Sequence, residues 1–207
     1  MIVVLILALS ILVYGAVYII LTKNNYSHNI KIDSNPKTST RNQMINGQRI
    51  GIYSGFAYGV RSDGGNTCAA VAIHNVRVYL RMESTLSQAI YDVQKCGGMR
   101  LLGALGTYPG RVDNVLDYCG IRYTAIKGTY DMTEKGMYII SYYVRGKITN
   151  GIHTIAVEYD GTSYIAYNRY SNREYAMRIN IEDFSDWLIC GFYVGKTKRI
   201  NDFSGQR

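Results

Sequence analysis

The apolar spacing of this chain changes from a helical to a strand-like period near residue 120, which limits the possible folds more than any other feature. Before that point, apolar residues recur at helical intervals in segments that begin near Asn66, Ser84 and Pro109. After it, β-branched and aromatic residues predict strands at residues 121–127, 137–144, 152–159, 162–168, 175–181 and 188–196. Helices followed by antiparallel strands predict an α+β fold, in which the helical half packs against the sheet.

The start of the chain is apolar enough to be a membrane anchor. Residues 1–22 carry no charged side chain and are about long enough to cross a bilayer core. The basic start and small-residue cleavage site of a signal peptide are missing, so we predict an uncleaved single-pass transmembrane helix. Residues 23–49, rich in Asn, Ser, Thr and Lys, predict a flexible tether, and we expect the folded domain at residues 50–207.

The orientation of this anchor stays open. Basic residues follow the anchor and none precedes it, which by the positive-inside rule favours a cytoplasmic domain. Single N-terminal anchors in bacterial proteins nevertheless often precede exported domains. The net charge of +8 comes without a dense basic run interleaved with aromatics, so we expect no nucleic-acid partner.

The four cysteines show neither CxxC spacing nor a paired metal pattern, so we expect no metal site. Cys96, Cys119 and Cys190 are expected to be small buried side chains. A disulfide between two of them stays open if the domain is exported.

Cys68 is a candidate nucleophile because Asn66, a good N-cap residue, predicts a helix that carries the cysteine in its first turn. Unsatisfied N–H groups and the helix dipole at that position favour a thiolate. The Cys68 N–H is expected to be one oxyanion donor, and Asn66 or, second, Ser62 the other. Taken singly, a cysteine at a helix start is more often a buried small residue, and Asn66 is adequately explained as a helix cap.

His153 is the candidate base, because a predicted hairpin places it opposite Asn168. With a two-residue turn at Asp160-Gly161, the pair has its side chains on one face and Cα atoms roughly 4.5 Å apart. An amide beside an imidazole can fix its tautomer and orient it as a general base. His28 lies in the predicted tether, and His74 is expected to be structural.

Two short motifs resemble those of papain-like cysteine peptidases, most closely the compact bacterial branch that includes bacteriocin-leader-processing peptidases. They are GNTCAAVA at residues 65–72, and GIHTIAV at residues 151–157 followed by Tyr167-Asn168. The resemblance covers about residues 50–195 in the order of elements. It implies a papain-like fold and cofactor-free hydrolysis of a peptide or isopeptide bond. Cys68 would then be the nucleophile, His153 the base and acid, and Asn168 the orienting residue.

The chain departs from the family pattern at two positions near the expected oxyanion hole. Ala69 stands where the family usually has Gly, and Ser62 stands where it usually has Gln. The sequence therefore predicts a membrane-anchored cysteine peptidase that acts on a peptide or protein. One alternative is a transglutaminase-like acyl transferase, which uses the same Cys–His pair but generally prefers Asp as the third member. Another is a catalytically silent binding module on the same fold.

Overall fold

The computed structural model describes residues 2–61, 64–145 and 151–195. The α-helices in these ranges are α1 (Ile2–Ser34), α2 (Cys68–Tyr79), α3 (Leu86–Lys95) and α4 (Val112–Tyr118). Short 3-10 turns lie at Gly51–Gly55, Leu101–Gly103, Pro109–Arg111, Thr129–Asp131 and Ile181–Phe184. The α4 helix is followed, as predicted, by Gly120 with a φ of 67°, a conformation that glycine adopts without steric cost.

The second half of the chain forms an antiparallel sheet. Its strands are β1 (Thr124–Ile126), β2 (Gly136–Val144), β3 (Gly151–Tyr159), β4 (Tyr164–Tyr167), β5 (Met177–Ile179) and β6 (Leu188–Tyr193). The strand order is β1-β6-β2-β3-β4-β5, so β2 and β3 lie at the centre.

Each face of the sheet is covered by its own apolar core, because side chains alternate along a strand. Met137, Ile139 and Ala156 on one face pack with the buried side chains of α2, α3 and α4. Tyr138 and Ile155 on the other face belong to a second core, which is closed by segments from the sheet half of the chain. This arrangement confirms the predicted α+β fold, with a helical half on an antiparallel sheet and a long apolar helix at the N-terminus.

The loop between β3 and β4 corrects the predicted hairpin. Tyr159 pairs with Tyr164, so residues 160–163 form the loop instead of a two-residue turn. Asp160 explains the longer loop, because its Oδ1 accepts the N–H groups of Thr162 and Ser163 at 2.7 and 2.8 Å. Each β3 residue therefore pairs with a β4 residue two positions further along the chain than predicted. Because side chains alternate with a period of two, this shift leaves every side chain on its predicted face of the sheet.

The segment after residue 22 is more ordered than the predicted tether. The α1 helix continues to residue 34 and docks through polar side chains. Fully buried Asn29 donates to the Ala57 carbonyl at 3.0 Å and accepts the Ala57 N–H at 3.1 Å. The Asp33 carboxylate accepts hydrogen bonds from Thr40 and from Ser87. Ile32 also packs against the main core, but no regular apolar spacing marks this segment in the sequence.

The first part of α1 lies away from the domain, with most side chains between residues 3 and 20 exposed. Within the described residues, α1 alone is long and apolar enough to cross a membrane, with a mean hydropathy of 2.8 in its most apolar window. The helix is therefore a candidate membrane anchor.

We expect two truncations of α1 to behave differently. Deleting residues 1–22 should leave a folded, soluble domain, whereas deleting residues 1–34 should lower the free energy of unfolding by about 2–5 kcal/mol. The longer deletion leaves the buried partners of Asn29 and Asp33 without hydrogen bonds, and each unsatisfied group costs about 1–3 kcal/mol. Urea unfolding followed by circular dichroism measures the difference, with Asn29→Ala in the shorter deletion as an intermediate case. Equal stabilities of the two truncations would contradict the docked helix.

Candidate active site

A cleft of about 470 Å³ opens where the segments before α2 meet one end of the sheet. Residues from three distant parts of the chain line it, among them Gln48, Arg49, Gly65, Asn66, Tyr142, His153 and Arg169. Cys68 begins α2 two residues after Asn66, so the cleft lies beside the start of that helix.

Cys68 lies against the strand that carries His153. Its side chain is only 8% exposed, and the backbone and side chain of Thr154 both act to lower the pKa of its thiol. The N–H groups of Cys68 and Ala69 at the helix start also contribute. Because Thr154 directly follows His153 in β3, α2 and β3 bring the thiol next to the residue after the candidate base.

Burial acts against the thiolate predicted for Cys68. It raises the pKa of the Cys68 thiol above its usual value, although Thr154 and the N–H groups of Cys68 and Ala69 act in the opposite direction. The helix start therefore favours the thiolate locally, as expected, but desolvation of the sulfur outweighs it. The surroundings of Cys68 therefore favour the neutral thiol.

The imidazole of His153 is fixed by the backbone of Asn168. Its Nε2 lies 2.6 Å from the Asn168 carbonyl oxygen, which can only accept a hydrogen bond, so Nε2 carries the proton. In the neutral ring, Nδ1 then holds the basic lone pair. The Tyr142 ring packs edge-on against the imidazole, with the ring centroids 5.9 Å apart.

His153 is neutral at ordinary pH. Burial lowers the pKa of His153 to about 4, and the positive charges of Arg169 and Arg49 act in the same direction. The hydrogen bond to the Asn168 carbonyl opposes this effect. A negative charge forming near this imidazole would raise its pKa and make it a stronger base.

Asn168 contacts His153 by a different atom from the one predicted. The residue follows β4 with a φ of 61°, a left-handed conformation that Asn tolerates better than most residues. This conformation accompanies the hydrogen bond between its carbonyl and the imidazole, while its amide side chain bonds to Gln48. The expected proximity of His153 and Asn168 is thus present in the structure, but the amide does not touch the ring.

Gln48 is the residue of this site that the sequence analysis missed. Its N–H donates to Asn168 Oδ1 at 3.0 Å, and its Oε1 accepts from Asn168 Nδ2 at 2.7 Å. Its Nε2 donates to the Gly65 carbonyl at 2.8 Å. Gln48 lies 20 residues before Cys68, inside the predicted tether, where no sequence pattern marks it.

The predicted oxyanion donors have other surroundings. Asn66 does not cap α2, since the N-cap is Thr67, and Asn66 Nδ2 donates to the carbonyls of Gly103 and Ala104 at 2.6 and 3.0 Å. Its amide is held by this loop at the edge of the cleft. Ser62 lies outside the described residues.

The remaining histidines and cysteines lie apart from this arrangement. His74 is fully buried between Ser84 and the Gln43 carbonyl, in keeping with a structural role. Cys96, Cys119 and Cys190 are partly buried free thiols. Burial raises the pKa of Cys119 to about 11. In the described part of the chain, no group of three or more His, Cys, Asp or Glu side chains is placed to hold a metal ion.

No protein-family profile matches this chain, and no curated protein matches it in sequence. Among solved structures, it is similar to the peptidase domain of Streptococcus ComA, a bi-functional ABC transporter involved in a quorum-sensing pathway, with a TM-score of 0.46. The two chains are 13% identical over 64% of this chain and 93% of the ComA chain.

Two substitutions of Asn168 should separate its backbone role from its side-chain role. Asn168→Gly and Asn168→Ala both remove the buried amide pair with Gln48, which should cost about 1–3 kcal/mol. Alanine should cost a further 1–2 kcal/mol or so, because it is strained in the left-handed conformation. The ¹⁵N shifts of the His153 ring should still report a protonated Nε2 in the glycine variant. Loss of that signature in Asn168→Gly would show that the amide, not the carbonyl, holds the imidazole.

Proposed function

We propose that this protein is a cysteine peptidase in which Cys68 is the nucleophile, His153 the base and acid, and Asn168 the orienting residue. The observation that carries the proposal is that Cys68 begins a helix packed against β3, the strand that carries His153, whose Nε2 is held by the Asn168 carbonyl in the adjoining cleft. A buried thiol, a basic ring nitrogen and an adjoining cleft are the parts that acyl transfer through sulfur requires.

The proposed reaction starts from a neutral pair. When a peptide enters the cleft and excludes water, Nδ1 of His153 takes the thiol proton, and the sulfur attacks the carbonyl carbon. The imidazolium then protonates the leaving amine, the C–N bond breaks and a thioester remains on Cys68. Water, deprotonated by the same nitrogen, hydrolyses the thioester and restores the thiol.

The negative oxygen formed during attack needs two donors, and the Cys68 N–H is the first. Asn66, the predicted second donor, would have to release the carbonyl of Gly103 or Ala104 to serve. Gln48 is a further candidate, because its Nε2 has two N–H groups and the Gly65 carbonyl accepts one of them. Ser62 stays a prediction from the sequence alone.

We further propose that residues 1–22 act as an uncleaved, single-pass anchor for the peptidase. This stretch has the length and apolarity of a membrane span, and most side chains between residues 3 and 20 are exposed in the structure. The substrate would then be a peptide or protein that reaches the membrane surface.

The two alternative functions are distinguished by the fate of the acyl group and by the reactivity of the thiol. A transglutaminase-like enzyme would transfer the acyl group to an amine, and such enzymes usually orient the imidazole with a carboxylate. His153 instead donates to a backbone carbonyl. A silent binding module would leave Cys68 no more reactive than the other thiols.

Labelling with a peptidyl vinyl sulfone at neutral pH tests the assignment of Cys68. We expect Cys68 to react at least tenfold faster than Cys96, Cys119 or Cys190, although its resting pKa is raised, because His153 takes its proton during attack. His153→Ala should slow labelling and peptide hydrolysis by about 1,000-fold or more, whereas Cys190→Ala should change neither. Mass spectrometry locates the label. Unchanged rates in His153→Ala would refute the proposed base.

The acid limb of activity should report the pKa of His153. Since the neutral imidazole is the base and its pKa is lowered to about 4, kcat/KM should stay high at pH 5 and fall as the pH decreases through about 4. Arg169→Gln removes a positive charge that lowers this pKa, so the acid limb should move to higher pH. A pH profile of kcat/KM for both chains measures the shift. A limb near pH 6.5 in the unmodified protein would contradict a buried, neutral imidazole.

A further inference from the structure

The cleft beside His153 is lined by two arginines and, among the described residues that form its wall, by no carboxylate. Both arginine charges reach the imidazole, since each lowers the pKa of His153. The chain as a whole carries a net charge of +8. A cleft lined by charges of one sign attracts ligands of the opposite sign and raises their local concentration.

Arg169 is held in a fixed position inside this wall. Its guanidinium carbon lies 5.1 Å from the centre of the Tyr142 ring and 4.6 Å from that of Phe184. One terminal nitrogen donates to the Tyr142 hydroxyl at 2.5 Å. A guanidinium has five N–H donors in a planar fork, more than a single hydroxyl can accept. The aromatic rings thus orient the fork without using its full donor capacity.

Tyr142 does not neutralise this charge. Burial raises the pKa of Tyr142 to about 12, so the phenol stays protonated at neutral pH although Arg169 acts against the shift. Between described residues, the ion pairs within 4 Å are Arg41 with Glu83 and Arg77 with Asp92, so Arg169 belongs to neither. Arg169 therefore presents a preorganised cationic group beside the candidate base.

We propose that Arg169 binds a carboxylate of the peptide substrate, so that this protein selects peptides with an acidic group next to the scissile bond. This inference rests on the proposed peptidase function, because it places the carboxylate in the cleft that holds His153. The planar guanidinium can donate two parallel hydrogen bonds to the two oxygens of a carboxylate. A neutral amide of the peptide has only one oxygen to accept them, and an ammonium group has none. The carboxylate is supplied either by an Asp or Glu side chain or by the C-terminus of the peptide.

Binding and cleavage by the full-length protein in detergent micelles test the proposal separately. Fluorescein-labelled decapeptide pools, each with one position fixed as Asp, Asn, Glu or Gln, are titrated into the Cys68→Ala protein and followed by fluorescence anisotropy. Every pool is made with a free and with an amidated C-terminus. We expect acidic pools to bind about 10- to 100-fold more tightly than the matching amide pools at one or two positions, the range expected for hydrogen bonds to a charged group. A preference for free over amidated C-termini alone would identify the terminal carboxylate as the ligand.

Variants of Arg169 link this preference to the proposed contact. Arg169→Gln should abolish the acidic preference, and Arg169→Lys, which keeps the charge but loses the fork, should retain a reduced part of it. Arg178→Gln, which makes the same charge change on the exposed strand β5, should leave it intact. Thermal unfolding of each variant shows whether it is folded. If Arg169→Gln does not fold, Arg169→Lys alone tests the loss of the acidic preference.

The outcomes separate this proposal from the peptidase assignment. Cleavage of pools by the unmodified protein without any acidic preference would overturn the carboxylate site and leave the peptidase function standing. Acidic pools that bind in an Arg169-dependent way but are never cleaved would support the site and refute the peptidase function. An acidic preference that survives in both Arg169 variants would also overturn the proposal.

Discussion

The reciprocal amide pair between Gln48 and Asn168 connects the two halves of the site. Gln48 forms hydrogen bonds with Asn168, which follows β4, and with Gly65, which lies shortly before α2. This one buried side chain therefore connects the residue that holds the His153 ring to the segment that leads to Cys68. Buried polar groups are costly when left without partners, and this pair satisfies donors and acceptors on both sides. The Asn168 carbonyl is thereby directed at the imidazole, and the geometry of the proposed pair depends on this link.

Burial favours the neutral form of both Cys68 and His153, the proposed reacting groups. It raises the pKa of the thiol and lowers that of the imidazole, so each is held in its neutral form. An ion pair at rest would be more nucleophilic, but it would also expose a reactive thiolate to oxidants and stray electrophiles. In the proposed reaction, proton transfer accompanies attack, which links the reactivity of the sulfur to the presence of a substrate.

The sequence predicted those parts of the structure that have local signals. Helical spacing after Asn66, the change to strand-type segments and the glycine after α4 were sufficient for the α+β fold and for Cys68 at a helix start. The hairpin register was wrong because the side chain of Asp160 satisfies two N–H groups and stabilises a longer loop. Gln48 was missed because its role depends on contacts across 120 residues, which no periodicity records. The docking of α1 was missed for the same reason, since it depends on single side chains such as Asn29 and Ile32 and their contacts with distant residues.

The continuity of α1 sets a geometric condition on access to the cleft. From residue 22 to residue 34 the helix rises roughly 18 Å, at 1.5 Å per residue, and its last turns are bonded to the domain. In the proposed membrane-bound arrangement, a rigid helix rather than a flexible linker therefore joins the domain to the membrane. The opening of the cleft would be held at a fixed distance from the lipid surface and in a fixed orientation. Only scissile bonds at that distance from the membrane could reach the cleft. The distance would therefore select substrates in addition to the side chains that the cleft recognises.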